Sequence, residues 1–130
     1  MKRDMELCRK ILFAIEEQHT GLAIYDLKIE GYTPEHIAYH CKILHEAGFI
    51  SDYEPLYASD ELQDFAVGGL TWTGNDFLDK IREDTIWNKT KTTIIKGGLS
   101  MTVDVIKQVS TAILSAMTEG AIKGLLGGQS

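Results

Sequence analysis

Apolar residues recur along the chain with changing period, and the changes mark its predicted elements. Met5, Cys8, Leu12 and Ile15, with Ile11 beside them, line one face of a helix predicted from a cap at Asp4 to about residue 17. Gln18-His19-Thr20-Gly21 ends it, and Leu22, Ile24, Leu27 and Ile29 then alternate imperfectly, as a short strand or extended connection. Thr33-Pro34-Glu35 starts a second helix: Thr as cap, Pro at the first helical position, Glu at the positive end of the dipole. Its inner stripe is Ile37, Cys41 and Leu44, flanked by His40 and Ala47, and its outward face is Glu35, Ala38, Tyr39, Lys42 and Glu46. Gly48 supplies the left-handed turn that stops it.

Two strands are predicted over residues 49–57 and 65–70, joined by the turn-rich Ala58-Ser59-Asp60-Glu61. A third helix begins near Thr73, where Thr73 and Asp76 have a spacing similar to a capping box. Phe77, Leu78 and Ile81 face inward, and the helix continues or kinks through Asp84-Thr85 to Lys96. Gly97-Gly98 breaks the pattern. Beyond it, residues 102–117 form an amphipathic helix with Ile106, Val109, Ile113 and Ala116 on one narrow stripe. The last residues, with Gly120, Gly124, Gly127 and Gly128, are expected to fray. The predicted organisation is therefore a domain at 1–96, a glycine hinge at 97–98, an amphipathic helix at 99–119 and a flexible tail at 120–130.

With 130 residues, 44% apolar and 25% charged, the chain can build one core with an appended helix. Most of the net charge of −6 comes from one place, Asp52, Glu54, Asp60, Glu61 and Asp64, a stretch without Lys or Arg. Such a patch suits a basic or protein partner and repels phosphate backbones. Cys8 and Cys41 lie far apart in predicted helices without CxxC spacing and read as reduced core thiols of a cytoplasmic protein. The charged start MKRDMELCRK is not a signal peptide, and no apolar run is long enough to cross a bilayer.

Candidate chemistry is sparse. His36 and His40 are one helical turn apart, as are Cys41 and His45, but the pairs point to different sides and no second cluster completes a metal site. The acids do not follow the calcium-loop spacing. Gly68-Gly69 and Gly97-Gly98 lack the pattern of a phosphate or dinucleotide loop, and no nucleophile elbow occurs. No enzyme activity, cofactor or metal is expected. Trp72 and Trp87 read as packing more than as interface anchors.

The string from Ala38 to Ile50, AYHCKILHEAGFI, resembles the recognition helix and following strand of ArsR-type winged-helix repressors. Leu70-Thr71-x-x-Gly74 is similar to the end of the wing in MarR-type and PadR-type regulators. Over nearly the whole chain, Met1 to Met5, Ile37 to His40, Leu70 to Asp79 and Asp84 to Lys89 resemble a family of small uncharacterised proteins, many of them phage or prophage encoded. These resemblances imply an α+β, winged-helix-like domain with a C-terminal helical extension.

Two departures weigh against DNA reading. The interval from Leu22 to Tyr32, where a helix-turn-helix has its first helix, looks extended. The candidate recognition face, Glu35, Ala38, Tyr39, Lys42 and Glu46, offers one cation against two carboxylates. The expectation is a non-enzymatic regulatory or adaptor protein working through protein contacts. Its partners would be an unidentified protein and itself, through Ile106, Val109, Ile113 and Ala116. The alternative is a winged-helix DNA-binding regulator, for which Lys89, Lys91 and Lys96 speak.

Overall fold

Asp4 caps the first helix, α1 (Met5–Gln18), its carboxylate accepting the backbone N–H groups of Glu6 and Leu7. The computed structural model describes residues 1–127. After α1 the chain runs through β1 (Ile24–Tyr25), α2 (Pro34–Glu46), β2 (Tyr53–Ala58), β3 (Glu61–Val67), α3 (Trp72–Ile81), α4 (Asp84–Lys96) and α5 (Val103–Gly127). This is an α+β fold, with helices packed against a small antiparallel sheet of order β1-β3-β2 and a long C-terminal helix. By its contacts the chain divides into two compact units, Met1–Leu78 and one starting at Asp79.

In the first unit α1 packs on α2, and α2 also meets β2 and β3. Leu7, Cys8, Ile11, Leu12 and Ile15 from α1 and Ile37, Cys41 and Leu44 from α2 are buried with Phe65 and Val67 of β3. Thr33 caps α2 through the N–H of His36, with Pro34 at the first turn. The helix closes at Gly48, whose φ is +82°: Gly48 N–H donates to His45 O and Phe49 N–H to Leu44 O. That pair of bonds is a Schellman cap, and the left-handed residue it needs is the one glycine tolerates.

The Leu70-Thr71-x-x-Gly74 motif has a structural explanation. Leu70 bridges to Ile50 across the base of the hairpin. The Thr71 hydroxyl donates to Gly48 O and accepts the N–H of Gly74, so Thr71 caps α3. A side chain at position 74 would meet the carbonyl oxygen of Phe49 at 2.1 Å, so only glycine lets α3 lie this close to the end of α2. Phe49 and Phe77 stack directly behind it, centroids 4.9 Å apart.

In the second unit α4 and α5 pack along each other, burying Ile86, Trp87, Thr90 and Ile94 from α4 and Ile106 and Ser110 from α5. Gly97-Gly98 closes α4 with a second Schellman cap: Gly98, at φ +68°, donates to Ile95 O, and Leu99 donates to Ile94 O.

Several sequence expectations need correction. The strands begin and end elsewhere: β2 starts at Tyr53, not 49, and β3 at Glu61, not 65. The reason is a tight turn at Ser59 and Asp60, both at positive φ, which pairs residues 58 and 61 directly. α3 starts at Trp72 with Thr71 as cap, not at a Thr73–Asp76 box, and the chain breaks at Arg82-Glu83 before α4. The two units meet near residue 78, and α4 lies with α5 in the second of them. Residues 120–127, expected to fray, are helical, and 128–130 lie outside the described residues.

Candidate interaction surfaces

The candidate recognition helix is α2, and its outward face is smaller than its periodicity implies. Glu35, Lys42 and Glu46 are exposed and Tyr39 is half-buried, but Ala38 is buried, at 3% exposure. The cause is double cover: a helix packed by both α1 and the sheet buries a wider arc than one inner stripe. The one cation of the face, Lys42, stands 4.0 Å from Glu46 one turn on. No helix lies between β1 and α2, where a DNA-binding motif would carry its first helix.

His40, on the same helix, has no solvent exposure. Its Nε2 accepts the backbone N–H of Asp4 at 2.8 Å and its Nδ1 donates to the carbonyl of His36 at 2.8 Å. Both ring nitrogens are thereby engaged within the protein. His36 shares its Nδ1 with the Thr33 hydroxyl at 3.0 Å. Among the described residues no group of three or more His, Cys, Asp or Glu side chains could hold a metal ion.

Cys8 and Cys41 are free and buried, and burial pushes each thiol up to about 12. Thiols held this far from the thiolate are packing groups, not nucleophiles. Burial also raises the Tyr53 phenol to about 12, with Tyr57 and Cys41 adding to the effect.

The acidic residues gather on the β2–β3 hairpin. Asp52, Glu54, Asp60 and Glu61 are exposed and Asp64 is half-buried, its carboxylate accepting the N–H of Phe65. The strand register shows what accompanies them. Ile24, Val67 and Tyr53 share one row and Tyr25, Ala66 and Glu54 the next. Since neighbouring residues point to opposite faces, Phe65 and Val67 turn into the core, while Tyr25, Ala66, Glu54, Asp64 and Leu56 lie on the outer face. Tyr25 is 69% exposed and Leu56 is 62%. Sequence reading found the acids but not these apolar companions; the alternation from Asp64 to Val67 was the available signal.

The tryptophans part company. Trp87 is buried at 2% exposure, as expected of packing, but Trp72 at the head of α3 is 84% exposed. Position decides this: residue 72 opens α3 beside the exposed Ala47-Gly48 corner, with Thr71 and Gly74 making the contacts.

The expected self-association stripe is partly used within the chain. Ile106 is fully buried and Val109 and Ile113 are half-buried, so of that stripe only Ala116 is freely exposed. α5 has 25 residues against 13 in α4, and its far half carries exposed Met117, Ile122, Leu125 and Leu126. The grooves on the second unit are shallow and open; one is lined by Lys80, Thr111, Leu114, Ser115, Thr118 and Glu119, with Lys80 donating to the Thr111 hydroxyl at 3.1 Å. No helix among the described residues is long and apolar enough to cross a membrane.

No solved structure matches the chain. It is 40% identical over 119 residues to a protein of Haemophilus influenzae described as "Uncharacterized protein", covering 90% of this chain and 98% of that one. A family model described as "Hypothetical protein (DUF2513)" matches residues 2–100, from the N-terminus through both Schellman caps, and the chain belongs to that family.

Proposed function

We propose that this protein is a non-enzymatic regulatory or adaptor protein of phage or prophage type, cytoplasmic, acting through protein contacts on a winged-helix-like scaffold. The observation that carries this reading is the charge of the surface a DNA reader would use. Between Lys42 and Lys80 the sequence contains no Lys or Arg, and Lys42 itself lies beside Glu46. Phosphate contacts supply a large share of the affinity of DNA-binding proteins, and α2 and the β2–β3 hairpin have almost no cations to make them with.

Self-association belongs to the same reading. The exposed apolar residues of the far half of α5, and not Ile106, are its surface. Replacing Ile122, Leu125 and Leu126 by Ser leaves the buried pairing of α4 and α5 untouched. The full chain is expected to sediment as an oligomer and the triple variant as a monomer; a monomeric full chain would refute self-association.

A DNA-binding regulator is the second reading, and α4 is what favours it: Lys89 and Lys96 are exposed, and Lys91 stands 5.4 Å from the Trp87 ring centroid. Fluorescence anisotropy with mixed duplex DNA decides between the two. The adaptor reading expects no binding even at low salt. Tight binding that falls steeply with salt would overturn it.

A further inference from the structure

The outer face of the sheet holds two carboxylates and two exposed apolar side chains around a small residue. Ala66, half-buried, sits between Tyr25 on β1 and Glu54 on β2; the next row is Asp64 and Leu56. Ala66 is smaller than the side chains on either side of it. Glu54 and Asp64 are diagonal neighbours, roughly 7–8 Å apart by the geometry of an antiparallel pair. Among the described residues neither has a cationic partner, while Lys28 on the β1 side lies 4.0 Å from Asp26. Two like charges so placed repel each other, and a cation between them would relieve that repulsion.

The β2 edge of the sheet is closed to one common mode of binding. β2 is an edge strand, but Pro55 lies within it and a bulge follows at Leu56/Tyr57. Proline and bulges on an edge strand blunt pairing with a further strand. On the β2 side an occupant cannot readily add a strand, and one that lies across the face is held by side chains.

We propose that this face docks a partner-protein segment in which arginine or lysine alternates with apolar residues. The apolar positions cover Leu56 and Ala66, and the cation sits between Glu54 and Asp64 against the Tyr25 ring. An aromatic ring one strand from Asp64 and across Ala66 from Glu54 suits a guanidinium, which stacks on a ring and pairs with carboxylates. The same carboxylates repel nucleic acid. The assignment rests on the adaptor reading and adds to it the site and the chemistry of the partner.

The test is an amide-shift titration of the full chain with three short peptides, alternating Arg and Val, Arg alone, and alternating Glu and Val. The Arg-Val peptide is expected to move the amides of Tyr25, Glu54, Leu56 and Ala66. The double variant Glu54→Lys, Asp64→Asn should weaken it by about tenfold, the scale of two surface charge pairs lost or reversed. Leu56→Ser, also on the exposed face, should weaken it without changing the response to Arg alone. Equal binding of Arg alone, shifts elsewhere, or shifts at this face that follow protein concentration without peptide would each overturn the proposal. Duplex DNA titrated into the same sample separates the two readings. Shifts along Pro34–Glu46 or Asp84–Lys96 would remove the adaptor function itself, whereas silence from DNA and peptides alike would remove only the docking site.

Discussion

The imidazole of His40 ties two helices together by accepting, at Nε2, the backbone N–H of Asp4. That N–H belongs to the residue whose carboxylate caps α1. An acceptor at Nε2 requires the proton on Nδ1, and the carbonyl of His36 one turn back takes it. A side chain in the middle of α2 thus fixes where α1 begins.

Removing that ring leaves a buried void and a backbone donor without its partner. His40→Ala is expected to lower unfolding free energy by about 2–4 kcal/mol, the sum of a core truncation and an unmade hydrogen bond. Urea denaturation measures it; a loss near zero would mean that the bond is not part of the stable core.

Glycines at two positions should answer the same substitution with opposite signs. At Gly74 an added methyl meets the Phe49 carbonyl oxygen at 2.1 Å, whereas at Gly120, inside α5, it meets nothing within 4 Å. Gly74→Ala is expected to destabilise by about 2–3 kcal/mol or more through a forced shift of α3. Gly120→Ala should stabilise α5 by about 0.5–1 kcal/mol through helix propensity. Thermal and urea melts of both variants check the pair, and like signs would contradict the described packing.

The two thiols set a limit on the alkaline side. Cys8 and Cys41 are raised from 9.0 to about 12 in the folded protein, so the unfolded chain releases their protons first as pH rises. Their contribution is fully present below pH 9 and is lost as pH climbs towards 12. The slope is at most about 1.4 kcal/mol per pH unit for each thiol. Stability measured at neutral pH and above pH 10 should fall accordingly, and native thiols should resist a disulfide reagent until urea opens the core. Equal stability at both pH values, or rapid native labelling, would sink this account.

Local signals were legible in the sequence, and those that depend on cover were not. Asp4, Thr33-Pro34 and Gly48 each act within a few residues of themselves, and each does in the structure what its type implies. Ala38 lay on the exposed side of a single-stripe reading because no sequence states that α2 is packed from two directions. The acids of the hairpin were visible by type. Which apolar residues share their face depends on the pairing register, and that register is set by the tight turn at Ser59 and Asp60, whose tightness the sequence did not show. Gly120, Gly124 and Gly127 read as a tail through their low propensity, yet the helix runs through them. Trp72 shows the limit of composition: a large apolar residue is most often packed, and only the contacts around it reveal that it is not.

The overhang of α5 has a kinetic consequence. Its first turns lie beside α4, its last ones are exposed, and the glycines fall in the exposed part. In the monomer, opening free energy should therefore decline along one continuous helix, and amide protons should exchange with deuterium progressively faster from Ile106 towards Gly127. Whatever settles on the far end would flatten that gradient. The helix thus carries its own clock for occupancy, readable residue by residue before the occupant has been identified.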